Sequence, residues 1–267
     1  MKMHRLSFEI RSLIAASLLL PCYGYALPQG GSVVAGQASI QTPKNDTLTI
    51  NQRSDRAVIN WNSFNLASNE QLNISQPTDQ SALLNRVTGN QLSTIAGSIH
   101  ANGQVFLVNP NGMTFSDGAV VQVGALVAST AGISNDAFMQ GGTLVFDQAG
   151  QSNAQITTQA GAYLEATQAQ NGMVALIAPR IQHGGFITAK LGRIQLAAAD
   201  LFSLTVDGGL LNVLLSPQDL GSLGISIEQS GVIISQGGLI NIQAARLNNV
   251  LQGLIQNQGK IIVRMGG

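Results

Sequence analysis

The sequence predicts an all-β chain wound into a right-handed parallel β-helix, a solenoid, and three observations carry that reading. First, a short template recurs: glycine, any residue, an aliphatic residue, any residue, then an aliphatic residue or Phe. It stands at Gly103-Gln104-Val105-Phe106-Leu107, Gly142-Thr143-Leu144-Val145-Phe146, Gly172-Met173-Val174-Ala175-Leu176, Gly192-Arg193-Ile194-Gln195-Leu196, Gly238-Leu239-Ile240-Asn241-Ile242 and Gly259-Lys260-Ile261-Ile262-Val263. Second, copies fall one short coil apart, with 20 positions from Gly172 to Gly192 and 21 from Gly238 to Gly259. Third, the chain is 45% hydrophobic with net charge zero, and its polarity rests on 46 Asn and Gln more than on its 13 basic and 13 acidic residues. Such a composition folds, because disorder goes with few apolar residues and high net charge.

Period-two alternation marks a strand with one buried face, and the glycine marks the turn that starts it. Each unit is short and open-edged, so it must stack on a neighbour to hide its apolar face and pair its backbone. A rung of about 20 residues with a few short strands is what a right-handed β-helix requires, and its Asn, Ser and Thr are free to form ladders. A β-sandwich of hairpins would need two-residue Asn-Gly or Asp-Gly loops at shorter spacing, and these are few between the copies.

Taken in order, residues 1–26 read as a cleavable signal peptide. Lys2, His4, Arg5 and Arg11 flank the apolar stretch Leu13 to Leu20, and Gly24-Tyr25-Ala26 offers small residues at a cut after Ala26. The stretch is shorter than the ~20 residues a bilayer span needs, so the mature chain is expected to be soluble. Cys22 follows Pro21, a poor fit to a lipoprotein signal. Cleavage removes the only cysteine, which excludes an internal disulfide and thiolate chemistry.

Residues 27–75 alternate in Thr47-Leu48-Thr49-Ile50 and Ala57-Val58-Ile59-Asn60-Trp61 but lack the glycine template, which suits an N-terminal cap with Trp61 and Phe64 as its bulk. Residues 76–267 read as the rungs, and 27–267 as one structural unit. Within them, Asn109-Pro110-Asn111-Gly112 is a turn between two apolar runs. Asn109 can bond its own backbone, Pro110 presets φ, and Gly112 suits the last position. Ser203 to Gly224 interrupts the rung spacing and reads as an insertion or a hairpin leaving the helix. The final Arg264-Met265-Gly266-Gly267 reads as mid-rung, and an open edge there predicts self-association of the isolated chain.

The wording between these features resembles the secretion domain of filamentous-haemagglutinin-type exoproteins of two-partner secretion systems. The likeness runs through Ile59-Asn60-Trp61-Asn62-Ser63-Phe64-Asn65, Gln76-Pro77, Leu84-Asn85-Arg86-Val87, Gly97 to Leu107 and Asn109-Pro110-Asn111-Gly112-Met113. It continues in Gly124-Ala125-Leu126-Val127-Ala128-Ser129-Thr130 and in Gly172 to Asp200. Met113 stands where the family more often has Ile, and the family's second motif, Asn-Pro-Asn-Leu, does not occur. The resemblance implies a β-helix with an N-terminal cap and extra-helical hairpins. It implies an outer-membrane transporter partner, a barrel with periplasmic domains, reached after the general export machinery has taken the signal peptide. Asn109, Pro110, Asn111 and Gly112 are the residues expected either to contact that transporter or to form a turn needed for nucleation. The product would be secreted or held on the cell surface, and a surface adhesin binding host or matrix glycans is the second reading.

Catalysis is not expected. The mature chain keeps only His100 and His183, the latter placed in a turn between rungs, and no metallopeptidase, nucleophile-elbow or phosphate-loop motif occurs. A polysaccharide-cleaving β-helix would need clustered acids. Asp117, Asp136, Asp147, Glu165, Asp200, Asp207, Asp219 and Glu228 are scattered, without an Asp-Asp or Asp-x-Asp pair; acids one rung apart can still meet in space, and Glu165 and Glu228 stay open as candidates. No cofactor and no metal are implied, and the balanced charge gives no electrostatic footprint for nucleic acid.

Overall fold

A computed structural model describes residues 26–168, 172–207, 210–215, 226–244 and 255–264. Three long sheets wind around one axis. The first holds eight strands in chain order: Ser32–Ala35, Arg56–Trp61, Ala82–Val87, Gln104–Val108, Ala125–Ser129, Met173–Ala178, Arg193–Ala198 and Leu239–Ala244. The second holds six, from Ser93–Ile95 to Ile255–Asn257, and the third nine, from Ala38–Ile40 to Lys260–Arg264. From Ala82–Val87 onward the chain visits first, second and third sheet in turn, so each of these circuits lays one strand on each. Met173–Ala178, Arg180–His183 and Phe186–Lys190 make one circuit, and Arg193 then pairs in parallel with Met173. This is the right-handed parallel β-helix that the repeat predicts.

Register turns alternation into ladders. Leu48, Leu72, Ile99, Val121, Leu164, Ile187 and Ile233 lie one above another in the third sheet. Ala57, Leu83, Val105, Leu126, Val174, Ile194 and Ile240 do the same in the first. These columns meet in a single interior. At one corner, glycine is required by closeness: a Cβ on Gly192 would collide with the Gly172 carbonyl, and one on Gly238 with that of Gly192. That contact is why these two copies of the template open on glycine.

Two antiparallel pairs precede the coil, Ser32–Ala35 on Arg56–Trp61 and Ala38–Ile40 on Thr47–Gln52. Parallel pairing already begins with Thr47–Gln52 on Gln71–Ser75 and Arg56–Trp61 on Ala82–Val87, so the first circuit lies inside residues 27–75. Trp61 and Phe64 are buried there, edge to face at 5.9 Å.

Between its two end strands, the first sheet differs from the other two in being buried on both faces. Its outward side chains, among them Leu84, Phe106, Val127, Ala175 and Ile177, form a second apolar cluster with an outer layer. That layer comprises the short helix Asn135–Gln140 and an antiparallel sheet of Leu144–Phe146, Phe202–Asp207 and Leu210–Leu215. Phe138 meets Phe106 edge to face at 5.2 Å, and Phe146 stacks on Phe202 at 4.3 Å. Each such ring contributes about 1.5–3 kcal/mol by burial. Two-sided burial is the reason MVALIA and VFLV are continuous apolar runs.

Two template copies were misplaced by the repeat. Leu144–Phe146 belongs to the outer antiparallel layer and not to a rung, and Lys260–Arg264 joins the third sheet, whereas the copies at Gly103, Gly172, Gly192 and Gly238 open strands of the first. A glycine followed by alternation reports a turn and a strand, not the sheet that takes it. The interruption after Ser203 is a hairpin, as one of the two expectations had it, with Leu204 opposite Val213; residues 216–225, its later part, lie outside the described residues.

Candidate functional site

The Asn-Pro-Asn-Gly turn sits where the strand Gln104–Val108 leaves the first sheet and Met113–Phe115 enters the second. The Gly112 N–H donates to the Asn109 carbonyl at 3.0 Å, closing the turn, and the Asn111 N–H donates to Asn109 Oδ1 at 2.9 Å. The Asn109 side chain is buried, at 1% exposure. Its Nδ2 donates to the Gln91 carbonyl and to Ser93 Oγ, both at 2.9 Å, which ties the turn to the preceding circuit. Asn111 Nδ2 donates to the Gly89 carbonyl and to Asn109 Oδ1, again at 2.9 Å. From the following circuit, the Gln151 N–H donates to the Pro110 carbonyl at 2.8 Å. Gly112 has φ of 100°, and a Cβ on it would come within 2.6 Å of the Gln155 carbonyl oxygen. The four residues therefore brace three successive circuits. Pro110 and Asn111 are half-buried; Asn109 and Gly112 are buried.

Other residues of the shared wording prove to be clasps of the same kind. Trp61 Nε1 donates to Asn85 Oδ1 at 3.0 Å inside the core, joining neighbouring strands of the first sheet. Gln76, also buried, donates to Gln52 Oε1 at 3.1 Å and to the Ser81 carbonyl at 2.9 Å, and accepts from the Gly103 N–H at 3.0 Å. Gln76 and Asn102 exchange two further bonds, at 2.8 and 2.9 Å. Met113, in place of Ile, is simply core at 1% exposure.

Two arginines fasten the outer layer to the first circuits. Arg86 donates to Asn135 Oδ1 at 2.7 Å and to the Ile133 carbonyl at 2.5 Å. Arg56 donates to the Phe138 carbonyl at 3.1 Å and lies 5.3 Å from the centre of that ring. Burial pulls both guanidinium groups below their ordinary value, and neighbouring Asp55 partly offsets this for Arg56. Neither role could be read from sequence, because the partners lie 47 to 82 residues away.

Among the described residues the histidines and acids do not converge. His100 faces outward, half-buried, between Asn73 and Gln122 on the third sheet. His183 is not in a turn, as expected from Gly184-Gly185, but closes the strand Arg180–His183 and points inward at 1% exposure. There it stands between Thr158 and Gln229 in a polar column, with Nδ1 2.5 Å from Thr158 Oγ1. Desolvation lowers its pKa to about 4, against an opposing pull from the Val232 backbone. Glu165 accepts from Gln122 at 2.8 Å on the third sheet, and Glu228 from Gln182 at 3.3 Å on the second. Among the described residues no group of three His, Cys, Asp or Glu could hold a metal ion.

A three-sided parallel coil with an outer hairpin layer and amide clasps at its corners defines the class as a parallel β-helix. The chain belongs to the TPS secretion domain family, whose pattern matches residues 25–265. It is 30% identical over 226 residues to a heme/hemopexin-binding protein of Haemophilus influenzae strain Rd, covering 84% of this chain and 24% of that protein. A second heme/hemopexin-binding protein of Haemophilus influenzae is 36% identical over 125 residues, 45% of this chain and 14% of that one. Among solved structures, the HMW1 secretion domain from Haemophilus influenzae matches with a TM-score of 0.69 and 31% identity, over 81% of this chain and 56% of that one. The chain thus spans about a quarter of the length of the first of these relatives.

Proposed function

We propose that this chain is the export-directing segment of a two-partner exoprotein: its leader is cut after Ala26, a cognate outer-membrane transporter takes the remainder from the periplasm unfolded, and the coil forms outside. The observation that carries this is the family match over residues 25–265. The physics agrees. No cysteine beyond the leader could lock a fold before passage, and few charges need stripping of water. Each circuit also offers the next a finished edge, so folding outside biases movement outward. The antiparallel strands ahead of the coil act as its cap.

For Asn109, Pro110, Asn111 and Gly112 we favour nucleation of the early circuits over docking, since the Asn109 amide is spent on bonds within the chain. Asn109→Ala and Gly112→Ala, each measured for secretion and for refolding in vitro, separate the two. A variant that fails at both supports nucleation; one that refolds normally but stays in the periplasm supports docking and overturns our reading.

A second reading, adhesion to glycans, draws on an open groove of about 460 Å³ on the outer face of the third sheet, lined in part by Asn73, His100, Asn102, Gln122 and Thr167. Binding of the purified chain to a glycan array, lost on Gln122→Ala, would support it.

A further inference from the structure

Glu70 is a buried carboxylate, 3% exposed, at the turn that precedes the strand Gln71–Ser75. Its Oε2 accepts from the Ala67 N–H at 2.8 Å, a bond within its own turn. Its Oε1 accepts from the Ala26 N–H, also at 2.8 Å and 44 residues away. Both donors are neutral amides. A buried carboxylate held by neutral donors alone is poorly compensated, whereas an ammonium partner supplies charge as well as the hydrogen bond. The donor position is informative, because Ala26 is the residue at which the sequence places leader cleavage. A cut there puts the new α-ammonium on the Leu27 nitrogen, the next along the backbone; a cut after Tyr25 puts it on the Ala26 nitrogen itself. Leu27 is 1% exposed, and the Gln29 side chain donates to its carbonyl at 2.8 Å, so the segment that bears the new terminus is fixed in the core.

We infer that Glu70 is the receptor for the α-ammonium group created by leader removal, so that processing completes the first circuit with an ion pair that the uncut chain lacks. This rests on the signal-peptide reading given above. In the uncut chain Glu70 holds the Ala26 amide, which a cut after Tyr25 turns into the ammonium and a cut after Ala26 removes in favour of the ammonium on Leu27; until then the carboxylate stays without a counter-charge. The first circuit is the edge on which later ones are laid, and leader removal would then strengthen the start of the stack. A chain still carrying its leader would have a weaker template.

The test begins by sequencing the N-terminus of the exported protein. Urea unfolding is then measured for that protein with its α-amino group free and with it blocked by a Gly-Ser extension, each with Glu70 and with Glu70→Gln. Blocking is expected to lower the folding equilibrium constant about tenfold when Glu70 is present, and to change nothing in Glu70→Gln. A loss of equal size in both backgrounds, or no loss, overturns the pairing. If Glu70→Gln does not fold, the rate at which the native α-amino group reacts with an amine reagent decides instead: about tenfold slower than in urea supports the pairing, and equal rates overturn it. A terminus found elsewhere than at Ala26 or Leu27 overturns the leader reading and the pairing with it. The expected terminus without coupling overturns the pairing alone.

Discussion

At the scale of single residues, the amides of this chain act as bolts between circuits, and their removal should be felt as loss of stability. Asn109→Ala strips the Gln91 carbonyl and Ser93 Oγ of their donor in a buried place and should cost about 1–3 kcal/mol in denaturant unfolding. A change under half a kcal/mol would mean that water replaces the amide. His183 supplies a pH dependence. Its folded value of about 4 lies below the ordinary 6.5, so the unfolded chain binds the proton first. The stability linked to the neutral ring is whole above pH 6.5 and falls away as pH drops from 6.5 towards 4, by about 3 kcal/mol. Unfolding free energy measured across that window should show this slope, and His183→Gln should remove it. These roles were only partly legible. Asn-Pro-Asn-Gly announced a turn because its residues act locally, but the partners of Asn109 are 16 and 18 residues back along the chain, beyond any local signal. For His183, the adjacent Gly184-Gly185 suggested a loop, while register with Thr158 and Gln229 drew the ring inside.

At the scale of elements, the rungs were legible because one buried face on the second and third sheets enforces alternation, and because close stacking enforces glycine at the corners that lead into the first and third sheets. The outer layer was not. Leu144–Phe146 carries the same glycine and the same alternation as a rung strand, yet pairs antiparallel with Phe202–Asp207. What distinguishes it is the company of Phe138, Phe146 and Phe202, which bury the outward face of the first sheet. The continuous runs in Gln104–Val108 and Met173–Ala178 were the available signal for that second layer, since a strand with water on one side has no reason to be apolar throughout. Arg86 ties this layer down at the helix Asn135–Gln140. Arg86→Ala should leave the coil intact while amide exchange in residues 133–140 rises about tenfold or more, consistent with loss of hydrogen bonds to a charged group. Uniform acceleration across the coil would instead make Arg86 part of the global fold.

At the scale of the whole molecule, stability comes from repetition. No disulfide spans the coil, the ladders of Leu, Ile and Val run from circuit to circuit, and strand pairing joins each circuit to its neighbours. Such a body can be built from one end, which is the property that passage through a pore demands of its cargo. As a TPS secretion domain matching residues 25–265, it is part of an exoprotein of a class that is exported and then secreted or held at the surface. The decisive measurement is the amount of this chain outside cells that have, or lack, the cognate outer-membrane transporter. Folded, protease-resistant chain is expected outside only when the transporter is present, and unfolded, protease-sensitive chain in the periplasm when it is absent. Equal amounts outside in both cells, or a fully folded coil accumulating in the periplasm and still being secreted from there, would contradict this expectation.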